Sequence, residues 1–350
     1  MPEAANSNIQ SRVVDQRNRG LHDLRISVTD RCQLRCRYCM PEEVFDKDYV
    51  FLPKSQILSF EQITLVAKAS VNLGVKKIRL TGGEPLMRRD IDQLIAQLGK
   101  IEGLDEIALT TNGLLLPKYA KKLKAAGLDR VTVSLDAMDD AIFSEMNGGK
   151  AKVSHVLKGI IAAQEAGLYV KINTVLKQGV NDGQVLALAH QARELGVPLR
   201  FIEYMDVGNC NGWEASDVVD TQQVLEQLQT IAPLEPVNPA HVGEVAKRYK
   251  FTDTKTEIGF ITSISEPFCG DCNRARLSAD GQIYTCLFST VGYDLKPIIQ
   301  QQGKTDDELV SFLTAQFSSI WQQRDDRYSE IRFDKTIPKD PKIEMSYIGG

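Results

Sequence analysis

The chain has 350 residues, of which 43% are hydrophobic and 25% are charged, and its formal net charge is −4. This length suits one large α/β domain with a smaller one, and the composition is typical of a folded globular protein. The charge provides no general attraction to nucleic acid or to an anionic membrane, and no apolar run approaches the length of a membrane span. We therefore expect a cytoplasmic protein, because the polar N-terminus also lacks the apolar stretch of a signal peptide.

The first predicted elements follow a polar arm, residues 1–22, which we expect to be flexible. Up to about residue 205, short β-branched runs alternate with helical patterns. The predicted strands are 23–30, 76–83, 106–113, 130–137, 169–176 and 199–206. Between them, Ser59 and Gln62 form a capping box for a helix that ends at Gly74, and two further helical patterns cover 117–127 and 154–167. Repeated βα units predict a parallel sheet, either a partial barrel or a doubly wound sheet.

Alternation along the strands distinguishes these two architectures. One face is apolar, whereas the other carries Arg25, Arg79 and Lys171. A doubly wound sheet is apolar on both faces, and a closed eight-stranded barrel is filled by aliphatic layers. We therefore predict an incomplete (β/α)6 barrel over residues 23–215 whose lumen holds a polyanion. The alternative is that these cations lie at solvated strand ends.

The pattern changes after Met205. We predict a smaller C-terminal α+β domain over 216–340, with a helix at 221–232, antiparallel strands from about 245 and a last helix at about 305–323. Asp280-Gly281 is a strong turn pair, and a hairpin around it would place Ala275 opposite Cys286. Residues 341–350 form a tail that ends in Gly-Gly, which sequence alone would treat as a frayed end.

The first cysteine group follows the first predicted strand, with the spacing C-x3-C-x2-C. It comprises Cys32, Cys36 and Cys39, in the loop at the carboxyl end of the sheet, where βα-barrel enzymes carry out their chemistry. A structural zinc site would need a fourth ligand, and the next cysteine is Cys210. A [4Fe–4S] cluster held by three thiolates would leave one iron open. The alternatives are a zinc site completed from a distance and inert buried thiols.

The second cysteine group lies in the C-terminal part, with the spacing C-x2-C-x13-C. It comprises Cys269, Cys272 and Cys286, again with no obvious fourth ligand. It could hold a second cluster with an open iron, or a zinc ion completed by Cys210. Arg274 and Arg276 follow at once and share a strand face, which indicates anion recognition rather than a solvated edge pair.

The first cysteine group, with Tyr38 before its last cysteine, resembles the signature of the radical S-adenosylmethionine (SAM) superfamily. The segment "TGGEP" at 81–85 resembles the glycine-rich motif of that superfamily, whose fold is a partial six-strand barrel. In that superfamily the open iron of a [4Fe–4S] cluster binds SAM, and reduction cleaves SAM to methionine and a 5′-deoxyadenosyl radical. Two glycines in the motif would let the backbone approach a ligand closely.

From about Leu24 to Gly350 the sequence resembles the GTP 3′,8-cyclase family (molybdenum cofactor biosynthesis protein A). The most specific segments are "DLRISVTDRCQLRCRYCMP", "IRLTGGEPLMRRD", "FCGDCNRARLS" and "SYIGG". The resemblance implies two [4Fe–4S] clusters, held by Cys32, Cys36, Cys39 and by Cys269, Cys272, Cys286. It implies SAM contacts from Tyr38, Gly83, Ser134 and Met205. It implies GTP contacts from Arg25, Arg79, Thr110, Lys171, Arg274, Ala275 and Arg276, with catalytic roles for Arg25, Arg274 and Arg276.

The chemistry implied by this resemblance is a cyclisation of GTP. The 5′-deoxyadenosyl radical removes the hydrogen at C3′ of the ribose, and the resulting radical attacks C8 of guanine. The product is (8S)-3′,8-cyclo-7,8-dihydroguanosine 5′-triphosphate, the first intermediate of molybdenum cofactor biosynthesis. The resemblance also implies an electron donor, a homodimer, cyclic pyranopterin monophosphate synthase as the next pathway enzyme, and a Gly-Gly end that inserts toward the site.

Two other hypotheses remain at this point. A radical SAM enzyme that modifies peptides with an auxiliary cluster would keep the first cysteine group but usually carries more C-terminal cysteines. A non-enzymatic zinc-binding module would need ligands beyond the two cysteine groups and would give the loops "TTNG" at 110–113 and "GGEP" at 82–85 no role.

Overall fold

A computed structural model describes residues 13–239, 243–334 and 341–350. Within these ranges no helix has both the length and the apolar character required to cross a membrane. The strands are β1 Asp23–Ser27, β2 Lys77–Thr81, β3 Glu106–Thr111, β4 Arg130–Ser134, β5 Tyr169–Leu176, β6 Leu199–Glu203, β7 Leu234–Val237, β8 Lys247–Phe251, β9 Glu257–Ile261, β10 Arg274–Leu277, β11 Gln282–Tyr284 and β12 Tyr293–Asp294.

The α-helices alternate with the first six strands and then follow the later ones. They are α1 Phe60–Asn72, α2 Ile91–Leu98, α3 Leu116–Ala125, α4 Asp140–Asn147, α5 Val153–Glu165, α6 Val185–Leu195, α7 Thr221–Gln229, α8 Lys296–Ile299, α9 Asp306–Gln322, α10 Tyr328–Ile331 and α11 Met345–Ile348. Short 3-10 turns occur at Lys54–Gln56, Pro85–Met87, Asp182–Gln184, Ala215–Asp217 and Cys269–Asp271.

The strands form one 12-stranded sheet in the order β12-β11-β10-β1-β2-β3-β4-β5-β6-β9-β8-β7. Strands β1 to β6 pair in parallel, each with the next along the chain, as the predicted βα units require. Their apolar faces pack under the helices, where Leu24, Ile26 and Leu80 are fully buried. The opposite faces carry polar side chains that line a cavity. The predicted incomplete barrel is therefore present.

The C-terminal strands extend this sheet at both edges. Strand β10 pairs in parallel with β1, and β9 pairs in parallel with β6. The prediction of antiparallel strands from about residue 245 is therefore only partly right, because β8 and β11 are antiparallel to their neighbours whereas β9 and β10 continue the parallel barrel. Long-range pairing of this kind leaves no local sequence signal.

The hairpin around Asp280-Gly281 has a register different from the predicted one. Arg276 pairs with Tyr284, and Ser278 donates its backbone N–H to Gln282 O at 2.9 Å. The loop therefore has three residues, with Gly281 at φ 93°, rather than two. This shifts the pairing by one residue, so Ala275 does not pair with Cys286 as predicted.

The starts of α1 and α5 agree with the predicted helix starts to within one residue. Ser59 and Gln62 form the predicted capping box of α1. The helix predicted to start at Ser154 instead begins at Val153, after the N-cap Lys152. The final predicted helix is α9, capped by Thr305 through a capping box with Glu308.

The N-terminal segment 13–22 packs against the C-terminal part of the chain. Leu21 is fully buried, and Asp15 and Arg19 are buried polar groups. Asp15 forms ion pairs with Arg19 at 2.6 Å and with Arg324 at 3.0 Å. The flexible arm predicted for residues 1–22 therefore does not extend over 13–22. Its remaining part, residues 1–12, lies outside the described residues.

Candidate active site

One cavity of about 510 Å³ runs along the polar face of the parallel strands. The first cysteine group follows the carboxyl end of β1, whereas Cys269 and Cys272 precede the amino end of β10, which is parallel to β1. The two groups therefore lie at opposite ends of the strands. The predicted site residues that line the cavity are Arg25, Cys32, Cys36, Tyr38, Cys39, Arg79, Gly83, Thr110, Ser134, Lys171, Met205, Cys269, Cys272, Arg274, Arg276 and Cys286.

Ala275 is the exception among the predicted site residues. It is fully buried in the hydrophobic core and does not line the cavity. Arg274 and Arg276 flank it on β10, and successive side chains of a strand point to opposite faces. The side chain of Ala275 is therefore turned away from the cavity, and only its backbone could contact a ligand there.

The first cysteine loop is held by its own backbone and by one arginine. Cys39 and Met40 donate their backbone N–H groups to Cys36 O at 2.9 and 2.8 Å. Arg35 donates to the carbonyl oxygens of Cys32, at 2.8 Å, and of Phe45, at 2.6 Å. These bonds fix the loop on itself, so that its three thiols face one cavity.

Tyr38 ties the cysteine loop to the end of β4. Its hydroxyl donates to Asp136 Oδ2 at 3.0 Å, and Asp136 Oδ1 accepts the backbone N–H of Val175 at 2.9 Å. Burial raises the pKa of Asp136 to about 6. Asp136 was not predicted as a site residue, although it lies on the same alternating face as Ser134.

The glycine-rich motif packs closely against the cysteine loop. A Cβ atom on Gly83 would overlap the Arg31 carbonyl oxygen, and Gly83 donates its N–H to Thr29 O at 2.8 Å. Glu84 is buried and accepts from Thr111 Oγ1 and Asn112 N, each at 2.8 Å. The absence of a Cβ atom on Gly83 therefore lets two loops of the chain approach each other closely.

Three arginines form a row across neighbouring strands in the middle of the cavity. Arg25 of β1 is in register with Arg276 of β10 on one side and with Arg79 of β2 on the other. Adjacent strands lie about 4.8 Å apart, so three positive charges stand side by side. Arg79 Nη1 donates to Thr110 Oγ1 at 3.1 Å and to Thr132 Oγ1 at 3.3 Å. The Nε atoms of Arg25 and Arg79 are buried without a hydrogen-bond partner within the described residues.

Burial and repulsion from neighbouring positive charges disfavour the charged forms of Arg25, Lys171 and Arg276. Burial and the neighbouring guanidinium groups lower the pKa of Arg25 well below its ordinary value. Burial, with repulsion from Arg200 and Arg130, lowers the pKa of Lys171 to about 7. Burial and repulsion from Arg274 also lower the pKa of Arg276 to about 10. A polyanion in the cavity would relieve this repulsion, as the strand alternation predicted.

Among the further cations of the cavity lining that the sequence reasoning missed, three lie on the barrel strands β1 to β6. They are Lys77, Arg130 and Arg200. Lys77 shares a face with Arg79 on β2, and Arg130 shares one with Ser134 on β4, so the same alternation could have identified them. Arg200 follows the same rule on β6. All three extend the positive lining of the cavity toward the amino ends of the strands.

The second cysteine group is surrounded by donors. Arg274 Nη2 donates to Cys272 Sγ, and the backbone N–H of Phe288 donates to Cys286 Sγ, both at 3.5 Å. Although burial alone would raise it, the charges of Arg274 and Arg324 lower the pKa of Cys272 to about 6. At the first group, the backbone N–H of Leu34 donates to Cys32 Sγ at 3.4 Å. N–H donors directed at sulfur are typical of thiolates that hold a metal cluster.

The donor sets fit iron–sulfur clusters better than zinc. All seven cysteines are free thiols. In the part of the chain that the structure describes, no three His, Cys, Asp or Glu side chains are grouped so as to hold a single metal ion. Burial, with repulsion from Cys32, Cys210 and Glu344, raises the pKa of Cys39. Cys210 is therefore close enough to the first group to act on one of its thiols. It is therefore not placed to complete a zinc site with the second group.

The C-terminal tail reaches the cavity. Arg276 Nη1 donates to the carbonyl oxygen of Gly349, Thr81 Oγ1 lies 3.5 Å from Gly350 O, and Gly350 is part of the cavity lining. Upstream, Glu344 accepts the backbone N–H of Asn209 at 2.9 Å. The Gly-Gly end is thus packed in the site rather than frayed.

Two family models match the chain: the radical SAM superfamily over residues 26–192, and Molybdenum Cofactor Synthesis C over residues 197–330. The protein is therefore a radical SAM protein, a class whose members use SAM together with an iron–sulfur cluster. Relatives named GTP 3′,8-cyclase extend this match over nearly the whole length. The relative from Staphylococcus saprophyticus subsp. saprophyticus is 50% identical over 341 residues, covering 97% of this chain and 99% of that protein. The relative from Staphylococcus aureus (strain Newman) is 49% identical with the same coverage. The chain belongs to the GTP 3′,8-cyclase family.

Solved structures show the same fold at low identity. Streptococcus suis SuiB bound to S-adenosylmethionine matches with a TM-score of 0.60 at 16% identity, covering 89% of this chain and 68% of that chain. Native anSMEcpe with bound AdoMet matches with a TM-score of 0.52 at 17% identity, covering 94% and 88%. These likenesses confirm the predicted radical SAM fold, and at such identity they carry no statement on substrate. The peptide-modifying and zinc-module hypotheses are set aside by the family membership.

Proposed function

We propose that this chain is a GTP 3′,8-cyclase that acts in the first step of molybdenum cofactor biosynthesis. When bound, an iron–sulfur cluster and SAM supply a 5′-deoxyadenosyl radical that removes the hydrogen at C3′ of GTP, after which C3′ bonds to C8 of guanine. One electron from the donor and one proton then give (8S)-3′,8-cyclo-7,8-dihydroguanosine 5′-triphosphate. The identity of 50% to a GTP 3′,8-cyclase over nearly the full length supports this activity.

The observation that carries the proposal is the order of groups along the cavity. Thiols lie at each end, and the row formed by Arg276, Arg25 and Arg79 lies between them. A nucleoside triphosphate offers both a polyanionic part and a base with nitrogen and oxygen donors. Such a ligand can meet cations in the middle of the cavity while its base reaches one thiol group and its ribose faces the other.

At the carboxyl end of the barrel, Cys32, Cys36 and Cys39 would hold a [4Fe–4S] cluster with one open iron. Tyr38, Gly83, Ser134 and Met205 would contact SAM, and each of these lines the cavity beside those thiols. The hydrogen bond from Tyr38 to Asp136 keeps the cysteine loop against β4, so the loop and the SAM contacts move as one unit. This chain's share of the chemistry is to orient the two reactants and to exclude water.

Toward the other end, Arg25, Arg79, Thr110 and Lys171 would bind GTP through its phosphates. The second group, Cys269, Cys272 and Cys286, would hold a second [4Fe–4S] cluster whose open iron contacts the guanine base. Arg274 and Arg276 would contact GTP beside that cluster. Arg25, Arg274 and Arg276 are the candidates for a catalytic role, since Arg276 is in register with Arg25 and Arg274 donates to Cys272 Sγ of the second cysteine group.

The remaining features of the proposal concern organisation and partners. We infer a radical SAM domain over 23–215, a C-terminal domain over 216–340 and a docked tail over 341–350. The enzyme would work in the cytoplasm as a homodimer and receive electrons from a donor protein. Its product would pass to cyclic pyranopterin monophosphate synthase, and no nucleic acid or membrane partner is expected.

The test begins with iron, sulfide and zinc per chain after anaerobic reconstitution. About eight irons in the wild type and about four in the Cys269→Ser/Cys272→Ser variant would indicate two [4Fe–4S] clusters. The second step is turnover of GTP that carries deuterium at C3′, with SAM and a reductant. Deuterium recovered in 5′-deoxyadenosine, together with the cyclised nucleotide, is the expected result. Iron binding without deuterium transfer would contradict the proposed substrate.

A further inference from the structure

The N-terminal segment and the end of α9 meet behind the second cysteine group in a buried charge cluster. Asp15 Oδ2 accepts from Arg19 Nε at 2.6 Å and from Arg324 Nη1 at 3.0 Å. At most 3% of any of these three side chains is exposed. We name Asp15, Arg19 and Arg324 the buried triad. A cluster of this kind is costly to bury, so it calls for a reason beyond stability alone.

The guanidinium groups of the triad hold the backbone at every cysteine of the second group. Arg19 Nη1 donates to the carbonyl oxygen of Cys269 at 2.6 Å. Arg324 Nη1 donates to the carbonyl oxygen of Cys272 at 2.8 Å, and Arg324 Nε donates to that of Thr285, the residue before Cys286, at 3.1 Å. The triad therefore fixes the backbone of two separate loops relative to each other.

Both arginines of the buried triad make further contacts with α9 and with the N-terminal segment. Arg19 O accepts the indole N–H of Trp321 at 2.9 Å, and the Arg324 guanidinium lies 4.5 Å from the centroid of the Trp321 ring. The backbone N–H of Gln16 donates to Arg324 O at 3.2 Å. Rotation of the Arg324 side chain would break contacts with the N-terminal segment, with α9 and with a cysteine loop at the same time. Rotation of the Arg19 side chain would break its bonds to Asp15 and to Cys269 O. The arrangement is thus fixed before any metal group binds.

We propose that Asp15, Arg19 and Arg324 are positioning residues for the group held by Cys269, Cys272 and Cys286. They fix the three thiols for cluster assembly, and the Arg324 charge tunes the reduction potential of the bound cluster. Outer partners that orient metal ligands have such effects on affinity and potential. This inference rests on the proposed function, in which a second [4Fe–4S] cluster occupies this group.

The experiment uses the full-length chain after anaerobic reconstitution. Its variants are Arg324→Gln, which removes the charge and the fork of donors, and Arg324→Lys, which keeps the charge but not the fork. Arg17→Gln is the matched control, because Arg17 lies in the same segment but forms a partly exposed ion pair with Asp325. The readouts are iron per chain, the electron paramagnetic resonance spectrum and the midpoint potential of each cluster.

We expect the iron content of Arg324→Gln to lie below the about eight irons per chain of the wild type and to approach the about four of the Cys269→Ser/Cys272→Ser variant. Any second cluster that remains should have a more negative potential, because a nearby positive charge favours the reduced state. Compared with Arg324→Gln, Arg324→Lys should bring the potential of the second cluster closer to its wild-type value than it brings the iron content. Arg17→Gln should match the wild type, and the SAM-induced change in the spectrum of the first cluster should persist throughout.

Three outcomes would overturn the inference in distinguishable ways. A wild type with only about four irons would remove the second cluster, and with it both this inference and that part of the proposed function. A wild type with about eight irons and an Arg324→Gln variant with the same count, spectrum and potential would remove this inference alone. If Arg324→Gln loses both clusters through a general folding defect, Arg19→Lys decides the question, and loss of both clusters there too would overturn the local role. Arg19→Lys, a milder change that loses the donor to Cys269 O, should then show the same contrast between sites.

Discussion

Arg276 donates a hydrogen bond to the carbonyl oxygen of Gly349, so the last residues of the chain are tied to the arginine row of the cavity. The two residues are 73 positions apart, and the tail crosses from the loop after β6 to reach this contact. Because Arg276 is also in register with Arg25, the tail and the proposed GTP-binding arginines form one connected group. Movement of the tail would therefore change the position of a proposed catalytic residue.

The first prediction concerns Gly349→Ala. Gly349 has φ 80°, and a Cβ atom there would overlap Thr81 Cγ2. The left-handed conformation costs a non-glycine residue about 1–2 kcal/mol before the overlap is counted. We expect GTP cyclisation to fall by about tenfold or more, since 1.4 kcal/mol corresponds to a factor of ten. SAM cleavage measured as 5′-deoxyadenosine should fall less.

The control for this prediction is Thr81→Ser, alone and combined with Gly349→Ala. Serine removes Cγ2 but keeps the hydroxyl that faces Gly350 O. The double variant should recover part of the cyclisation lost in Gly349→Ala, because only the backbone strain remains. Equal losses of cyclisation and SAM cleavage in Gly349→Ala would contradict a role for the tail in positioning GTP.

The second prediction concerns the anchor of the tail at Glu344. Its carboxylate accepts from the Asn209 backbone N–H at 2.9 Å and from Cys210 Sγ at 3.1 Å, and a Cβ atom on Gly208 would overlap it. Both Glu344→Ala and Gly208→Ala should therefore release the tail. We expect faster cleavage of the tail by a nonspecific protease and a cyclisation rate lowered by about tenfold, the effect of about 1.4 kcal/mol.

Glu330→Ala is the matched control for the tail anchor, because Glu330 is an exposed glutamate on the neighbouring helix α10. It should leave both proteolysis and turnover at wild-type values. If the tail of Glu344→Ala resists the protease as well as the tail of the wild type does, the contacts of Glu344 do not hold the tail in place.

The third prediction concerns protons taken up when GTP binds. Burial lowers the pKa of Lys171 to about 7 and that of Lys77 to about 8, so both are largely neutral in the free site near pH 9. Bound phosphates would raise these values toward the ordinary 10.5, so the complex binds more protons than the free protein. Affinity for GTP should therefore fall as pH rises from about 7 to about 10, by up to tenfold per unit for each proton taken up.

Calorimetry in two buffers of different ionisation enthalpy measures this uptake directly. We expect about one to two protons per GTP near pH 8.5, given these two lysines. Lys171→Met should reduce the number by close to one, whereas Lys158→Met, on the exposed face of α5, should not change it. Release of protons on binding would contradict the proposed contact between the phosphates and Lys171.

Local patterns predicted the parts of the site that depend on one strand or one loop. Alternation with a period of two placed Arg25, Arg79 and Lys171 in the cavity, because each strand presents alternate side chains to opposite faces. The same rule applied to the first residues of β2 and β4 would have added Lys77 and Arg130. Alternation alone gives no reason to assign the end residues of a strand to the cavity lining, because in a sequence they resemble solvated residues.

Contacts between distant segments could not be predicted in this way. The parallel pairing of β10 with β1 and the ion pair between Asp15 and Arg324 join residues far apart in the chain. Neither leaves a periodic signal, so the sequence predicts a flexible arm over a range that includes the packed segment 13–22. The hairpin register failed for a different reason, since Asp280-Gly281 fits both two-residue and three-residue loops, and only long-range packing selects one.

The fourth prediction concerns Gly83→Ala in the glycine-rich motif. A Cβ atom at this position would overlap the Arg31 carbonyl oxygen, and backbone cannot move aside as the end of a side chain can. Because Gly83 also donates to Thr29 O at 2.8 Å, the substitution pushes the motif away from the loop that carries Cys32. Such overpacking typically costs about 1–3 kcal/mol of stability.

The expected result is therefore a defect centred on the first cysteine group. Iron per chain should fall by about four, SAM binding should weaken by at least about tenfold, and the second cluster should keep its spectrum and potential. Gly183→Ala is the control, because that glycine has no atom within 4 Å of a built Cβ and no positive φ. Wild-type iron content and SAM affinity in Gly83→Ala would show that the two loops are not packed as closely as the structure has them.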